Sequence, residues 1–111
     1  MEPLFDILFL EDAFNCLQEL NRKHAEKIIF NARRAQVELN SALFKKLTGD
    51  IWEFRTLYQG NHYRMLAFWD KSRPSATLVV ATHVFTKKRS RVPFKEIERA
   101  MMLRKKYFAE K

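Results

Sequence analysis

Cysteine is nearly absent from this 111-residue sequence: Cys16 stands alone, which excludes an internal disulfide framework or a cysteine-rich zinc site and suits a reducing compartment. Glycine occurs twice and proline three times, too few for a glycine-rich phosphate loop or for long unstructured linkers. No apolar run exceeds the five residues Met65 to Trp69, far short of the roughly 20 needed to cross a bilayer. The first ten residues carry Glu2 and Asp6 in place of a basic leader, so the expectation is a cytoplasmic chain, neither secreted nor membrane-bound. His24, His62 and His83 are scattered, without His-x-x-x-His spacing or an acidic cluster beside them. Metal-dependent hydrolysis is therefore disfavoured, and no metal or cofactor is expected.

What is present is aromatic and basic. Ten Phe, three Tyr and two Trp, within a 47% hydrophobic composition, supply one core but not two, so a single domain over residues 1–111 is expected. The net charge of +8 is segregated: residues 1–43 hold five Lys and Arg against seven Asp and Glu, whereas residues 44–111 hold sixteen against six. Solubility requires no such segregation, and a phosphate-binding face explains it better.

Residues 4–10 are short, aromatic and branched and suit a strand, after which Glu11-Asp12 opens a helix carrying Ala13, Phe14, Leu17 and Leu20 at helical spacing. A turn at Asn21-Arg22-Lys23 leads to a second helix over His24 to Leu39. From Asp50 the period becomes two: Ile51 to Leu57 and His62 to Trp69 form a hairpin around Gln59-Gly60-Asn61, and Thr77 to Phe85 a third strand after a looser connection over Lys71 to Ala76. Pro93 starts a last helix whose apolar face is Phe94, Ile97, Ala100, Met101, Leu103, Tyr107 and Phe108. The order β-α-α-β-β-β-α predicts an α+β fold, with the helical hairpin and C-terminal helix packed on one face of a small, mostly antiparallel sheet.

On the hairpin, a two-residue turn would set Arg55 and Arg64 on one face, opposite or diagonal. Two cations meeting across strands destabilise a sheet unless an anion sits between them, so the pair suggests a phosphate site. Lys87-Lys88-Arg89-Ser90-Arg91 forms a second basic cluster, and Lys45-Lys46 a weaker one. RNA brings its own 2′-hydroxyl nucleophile, so metal-free cleavage needs a base, an acid for the departing 5′-oxygen and cations for the phosphorane. His62 shares the parity of Arg64, and Glu53 that of Arg55, as base or ion-pair partner. Trp52, Phe54, Tyr63 and Trp69 share the other parity and read as core.

The runs Phe44 to Arg55, Tyr63-Arg64, Val84 to Lys88, and Pro93 with Glu96-Ile97 and Ala100 resemble the HigB-like branch of the RelE/ParE toxin superfamily over the last two-thirds of the chain. The resemblance implies a RelE/ParE-like fold and the toxin of a type II toxin–antitoxin pair. Such a toxin is a ribosome-dependent endoribonuclease on mRNA, and its partner a helix-turn-helix antitoxin. It assigns Arg55, Arg64 and Lys87 to the scissile phosphate, and Lys45, Lys46, Lys88, Arg89 and Arg91 to flanking RNA or ribosomal RNA backbone. Several relatives place a Tyr or His after the basic loop. Ser90 to Phe94 holds neither, so the acid falls to His62, to Lys87 or to no side chain. Two other functions suit the same scaffold: a gyrase-poisoning toxin, and a non-catalytic RNA- or partner-binding module.

Overall fold

The computed structural model describes residues 2–72, 74 and 77–111. Its elements are β1 (Asp6–Phe9), α1 (Glu11–Glu19), α2 (Arg22–Val37), β2 (Phe44–Thr48), β3 (Ile51–Tyr58), β4 (Asn61–Asp70), β5 (Leu78–Lys87) and α3 (Phe94–Ala109). The sheet order is β1-β5-β4-β3-β2; β1 runs parallel to β5 and every other neighbouring pair is antiparallel.

The α+β class expected from the sequence holds, with two revisions. A fifth strand, β2, precedes the hairpin and forms the sheet edge; its sequence Phe-Lys-Lys-Leu-Thr lacks the clean alternation that marks a strand. The helices also occupy both faces of the sheet. α1 and α2 bury Ala13, Leu17, Ile28, Ala32 and Ala35 against Phe54, Tyr63, Met65 and Val79, whereas α3 buries Ala100 against Ile51, Leu66, Phe68 and Val80 on the other side.

Local chemistry sets the helix ends. Glu11 and Asp12 in the first turn of α1 complement its dipole. The Asn21 side chain accepts a hydrogen bond from the Lys23 backbone N–H at 3.0 Å, so α2 starts at Arg22, inside the stretch expected to be a turn. The hairpin turn has two residues, Gln59 and Gly60, both at positive φ (48° and 79°), the geometry of a type I′ turn that suits strand twist. Of the connection expected over Lys71 to Ala76, positions 73, 75 and 76 lie outside the described residues.

β5 carries a bulge that matters for the site. Leu66 pairs with His83 and Ala67 with Ala81, leaving Thr82 as the extra residue. The insertion reverses the parity of the strand. Val79 and Ala81 face the helical hairpin, whereas Phe85, beyond the bulge, packs on the α3 side. A regular strand would have turned Lys87 away from α3.

Candidate functional site

The two-residue turn fixes the register so that Arg55 and Arg64 lie directly opposite, as cross-strand partners. Arg64 pairs on its other side with Phe85, and His62 pairs with Lys87, so Lys87 is a diagonal neighbour of Arg64. These arginines and Lys87 line a cleft of about 720 Å³ between the sheet and the N-terminal half of α3. Lys45 and Lys46 border it from β2, Arg91 from the loop before α3, and Phe94, Ile97 and Met101 from α3 itself.

Glu53 lies under the cations. It and Arg64 are each only 4% exposed, and Arg64 Nε stands 2.9 Å from Glu53 Oε1. Neither atom makes a well-aligned hydrogen bond, so the contact is an ion pair of charge and distance, not of directed donation. Arg64 also donates from Nη1 to the Tyr63 carbonyl at 3.1 Å. Burial, reinforced by Arg55, pushes the Arg64 pKa below its ordinary value against the pull of Glu53. Burial likewise lowers the Lys87 pKa, with Arg64, Arg55 and Lys45 adding to the shift and Glu53 opposing it. Among the described residues lining the cleft, Glu53 is the sole carboxylate, so the site is strongly cationic and able to hold a phosphate.

Not every residue singled out from the sequence joins this cluster. Arg55, Arg64, Lys87, Lys45, Lys46 and Arg91 line the cleft; His62 is exposed near the hairpin turn and is not among the lining residues. Lys88 and Arg89 are exposed on the adjoining loop and also lie outside the lining. His83 is fully buried, its Nδ1 3.0 Å from Thr82 Oγ1 and its Nε2 3.0 Å from Glu96 Oε1, which ties β5 to α3. His24 packs behind the sheet, 2.6 Å from the Tyr63 hydroxyl. Sequence periodicity had given Phe94 and Met101 to the packed face of α3, yet they are 67% and 53% exposed at the cleft. An apolar residue at helical spacing carries no signal of whether a sheet reaches it.

This combination of three helices and a five-stranded, mostly antiparallel sheet, among the described residues, is similar to the fold of a chain in a toxin–antitoxin structure. A chain in the crystal structure of the RelBE2 complex from Mycobacterium tuberculosis matches with a TM-score of 0.58 over 77% of this chain and 99% of that one, at 20% identity. No curated protein matches the sequence. The chain belongs to the phage derived protein Gp49-like family, whose sequence pattern matches residues 14–105.

Proposed function

We propose that this chain is the toxin of a type II toxin–antitoxin pair, of the HigB-like branch, and that it cleaves mRNA without a metal ion, on the ribosome, as one domain over residues 1–111. The observation that carries the reading is the direct pairing of Arg55 with Arg64 beside Lys87 in one cleft. Adjacent cations of this kind weaken a sheet unless anions neutralise them; Glu53 offsets one of the three charges, and the scissile phosphate would neutralise the excess. The chain's similarity in fold to a chain of a toxin–antitoxin complex supports an antitoxin as its partner; on this reading that antitoxin carries a helix-turn-helix domain and the pair acts in the cytoplasm.

In this mechanism Arg55 and Arg64 bind the non-bridging phosphate oxygens and stabilise the charge that grows on them in the phosphorane. Glu53, the one carboxylate among the described residues lining the cleft, accepts the 2′-hydroxyl proton. The 2′-oxygen attacks phosphorus, the bond to the 5′-oxygen breaks, and Lys87 protonates the departing oxygen; the products are a 2′,3′-cyclic phosphate and a 5′-hydroxyl. Lys87 suits the role because its lowered pKa brings its proton closer to transferable at neutral pH. His62, its cross-strand neighbour, takes the donor role in the competing version. Lys45, Lys46 and Arg91 hold RNA beside the scissile bond, and exposed Lys88 and Arg89 meet ribosomal RNA.

Induction of the chain in bacteria, with transcript ends mapped, tests the reading. Cleaved mRNA and arrested growth are expected, both relieved by Arg55→Ala. Intact mRNA with damaged DNA would establish gyrase poisoning, and intact mRNA with RNA still bound would leave a binding module. His62→Gln should retain cleavage; its loss would transfer the donor role to His62.

A further inference from the structure

Both tryptophans of the chain line one second cleft, of about 620 Å³, at the end of the sheet away from the Gln59–Gly60 turn. Their neighbours on the same sheet face, Phe54 and Tyr63, are buried, but Trp52 and Trp69 remain partly open. Their rings are held in place. Phe44 stacks on Trp52 with centroids 5.0 Å apart, and Trp69 meets Trp52 edge-on at 5.9 Å. Among the described residues, the cations Lys46, Lys71 and Arg104 stand around them against one carboxylate, Asp50, which is exposed and 3.6 Å from Arg104.

This cleft adjoins the first. Lys46 lines both, and a third hollow of about 570 Å³ shares Thr48 and Met101 with the first cleft and Asp50, Arg104 and Phe108 with the second. The path passes around β2, which is an edge strand. There Lys45 lies opposite Glu53 and Lys46 opposite Trp52, so consecutive lysines serve opposite faces of the sheet. A phosphate backbone leaving the Arg55–Arg64 cleft finds a cation on each side of that edge.

We infer that the Trp52–Trp69 cleft is a base-stacking subsite for single-stranded RNA running off the phosphate site. The inference rests on the reading that the chain handles RNA. Cationic lining selects a polyanion, and fixed indoles select one with accessible base faces, which a single strand offers and a duplex does not.

The chain has no other tryptophan, so its indole emission reports on this cleft alone. The probe is a short 2′-O-methyl oligoribonucleotide, whose blocked 2′-oxygen prevents cleavage, used unlabelled for indole emission and fluorescein-labelled for anisotropy. Tryptophan quenching should follow binding measured by anisotropy. Inorganic polyphosphate should compete for binding without quenching. Trp69→Leu should weaken binding about tenfold. Should that variant not fold, as circular dichroism will tell, Trp69→Phe retains an aromatic ring and leaves Trp52 as the reporter, which should still be quenched. Binding with unaltered emission would overturn the stacking subsite while leaving the RNA reading intact, whereas failure of the oligonucleotide to bind would overturn both.

Discussion

Glu53 and Arg64 are almost wholly removed from water, and removing one partner would strand the other in a low-dielectric site. Arg64→Ala should therefore cost about 3–5 kcal/mol of folding stability in denaturant titrations, in addition to abolishing cleavage. Arg55, partly exposed and directly opposite Arg64, is under the reverse constraint. Arg55→Ala relieves a like-charge contact, so its stability should stay within about 0.5 kcal/mol of wild type while cleavage is lost. Equal destabilisation by the two changes would contradict the distinct environments argued for the two arginines. Lys87 adds a pH signature. Its folded pKa lies below the ordinary 10.5, so as an acid it should lose its proton, and cleavage should decline on the alkaline side, at a pH below 10.5. A pH–rate profile checks this; Lys87→Arg should lower the rate and remove that limb. The arginine pair was legible in the sequence because a two-residue turn leaves one parity relation. Lys87 was not legible from spacing, because the Thr82 bulge alone turns it into the cleft.

At the scale of elements, α3 decides whether there is a cleft at all, and two buried polar contacts fasten it. Near its start, Glu96 reaches buried His83; near its end, the Tyr107 hydroxyl donates to Asp70 Oδ2 at 2.6 Å, where Lys111 and Ser72 also reach Asp70. Burial lowers the His83 pKa from 6.5, with Arg99 acting in the same direction and Glu96 opposing. Below pH 6.5 the unfolded chain thus takes up a proton that the folded one resists, and stability falls with falling pH. Thermal midpoints should drop between pH 7 and 5, and His83→Gln should flatten that slope. Asp70 acts lower on the scale. Burial alone would raise its pKa, but the hydrogen bonds from Lys111, Ser72 and Tyr107 outweigh it and hold the carboxyl below 3.8. Its contribution is complete above that value and is lost as the pH falls below it. The helices were legible because their apolar period is long and α1 opens on acidic residues. β2 was not, since an edge strand only five residues long needs neither strict alternation nor β-branched residues once β3 supplies its hydrogen bonds. Its omission concealed where Lys45 and Lys46 lie.

Across the whole molecule, the charge asymmetry of the sequence becomes a division of labour. The acidic first part supplies the edge strand β1 and the helices α1 and α2 that back the sheet, whereas among the described residues every cation lining the first cleft comes from beyond residue 43. For single-stranded RNA each neutralised phosphate adds about −0.7 to the slope of log affinity against log salt. Among the described residues six cations line the cleft, and Glu53 offsets Arg64, so a short 2′-O-methyl oligoribonucleotide should show a slope of about −3.5. Lys88 and Arg89 lie outside the lining, and the two sets of cations should therefore separate experimentally. Changing Lys45 or Arg91 to Ala should reduce the slope for free RNA by about 0.7 each. Changing Lys88 or Arg89 to Ala should leave that slope as it is and weaken sedimentation with ribosomes instead. If Lys88→Ala lowers the free-RNA slope as much as Lys45→Ala does, the basic loop lies along the RNA path, and the ribosomal role assigned to it is wrong.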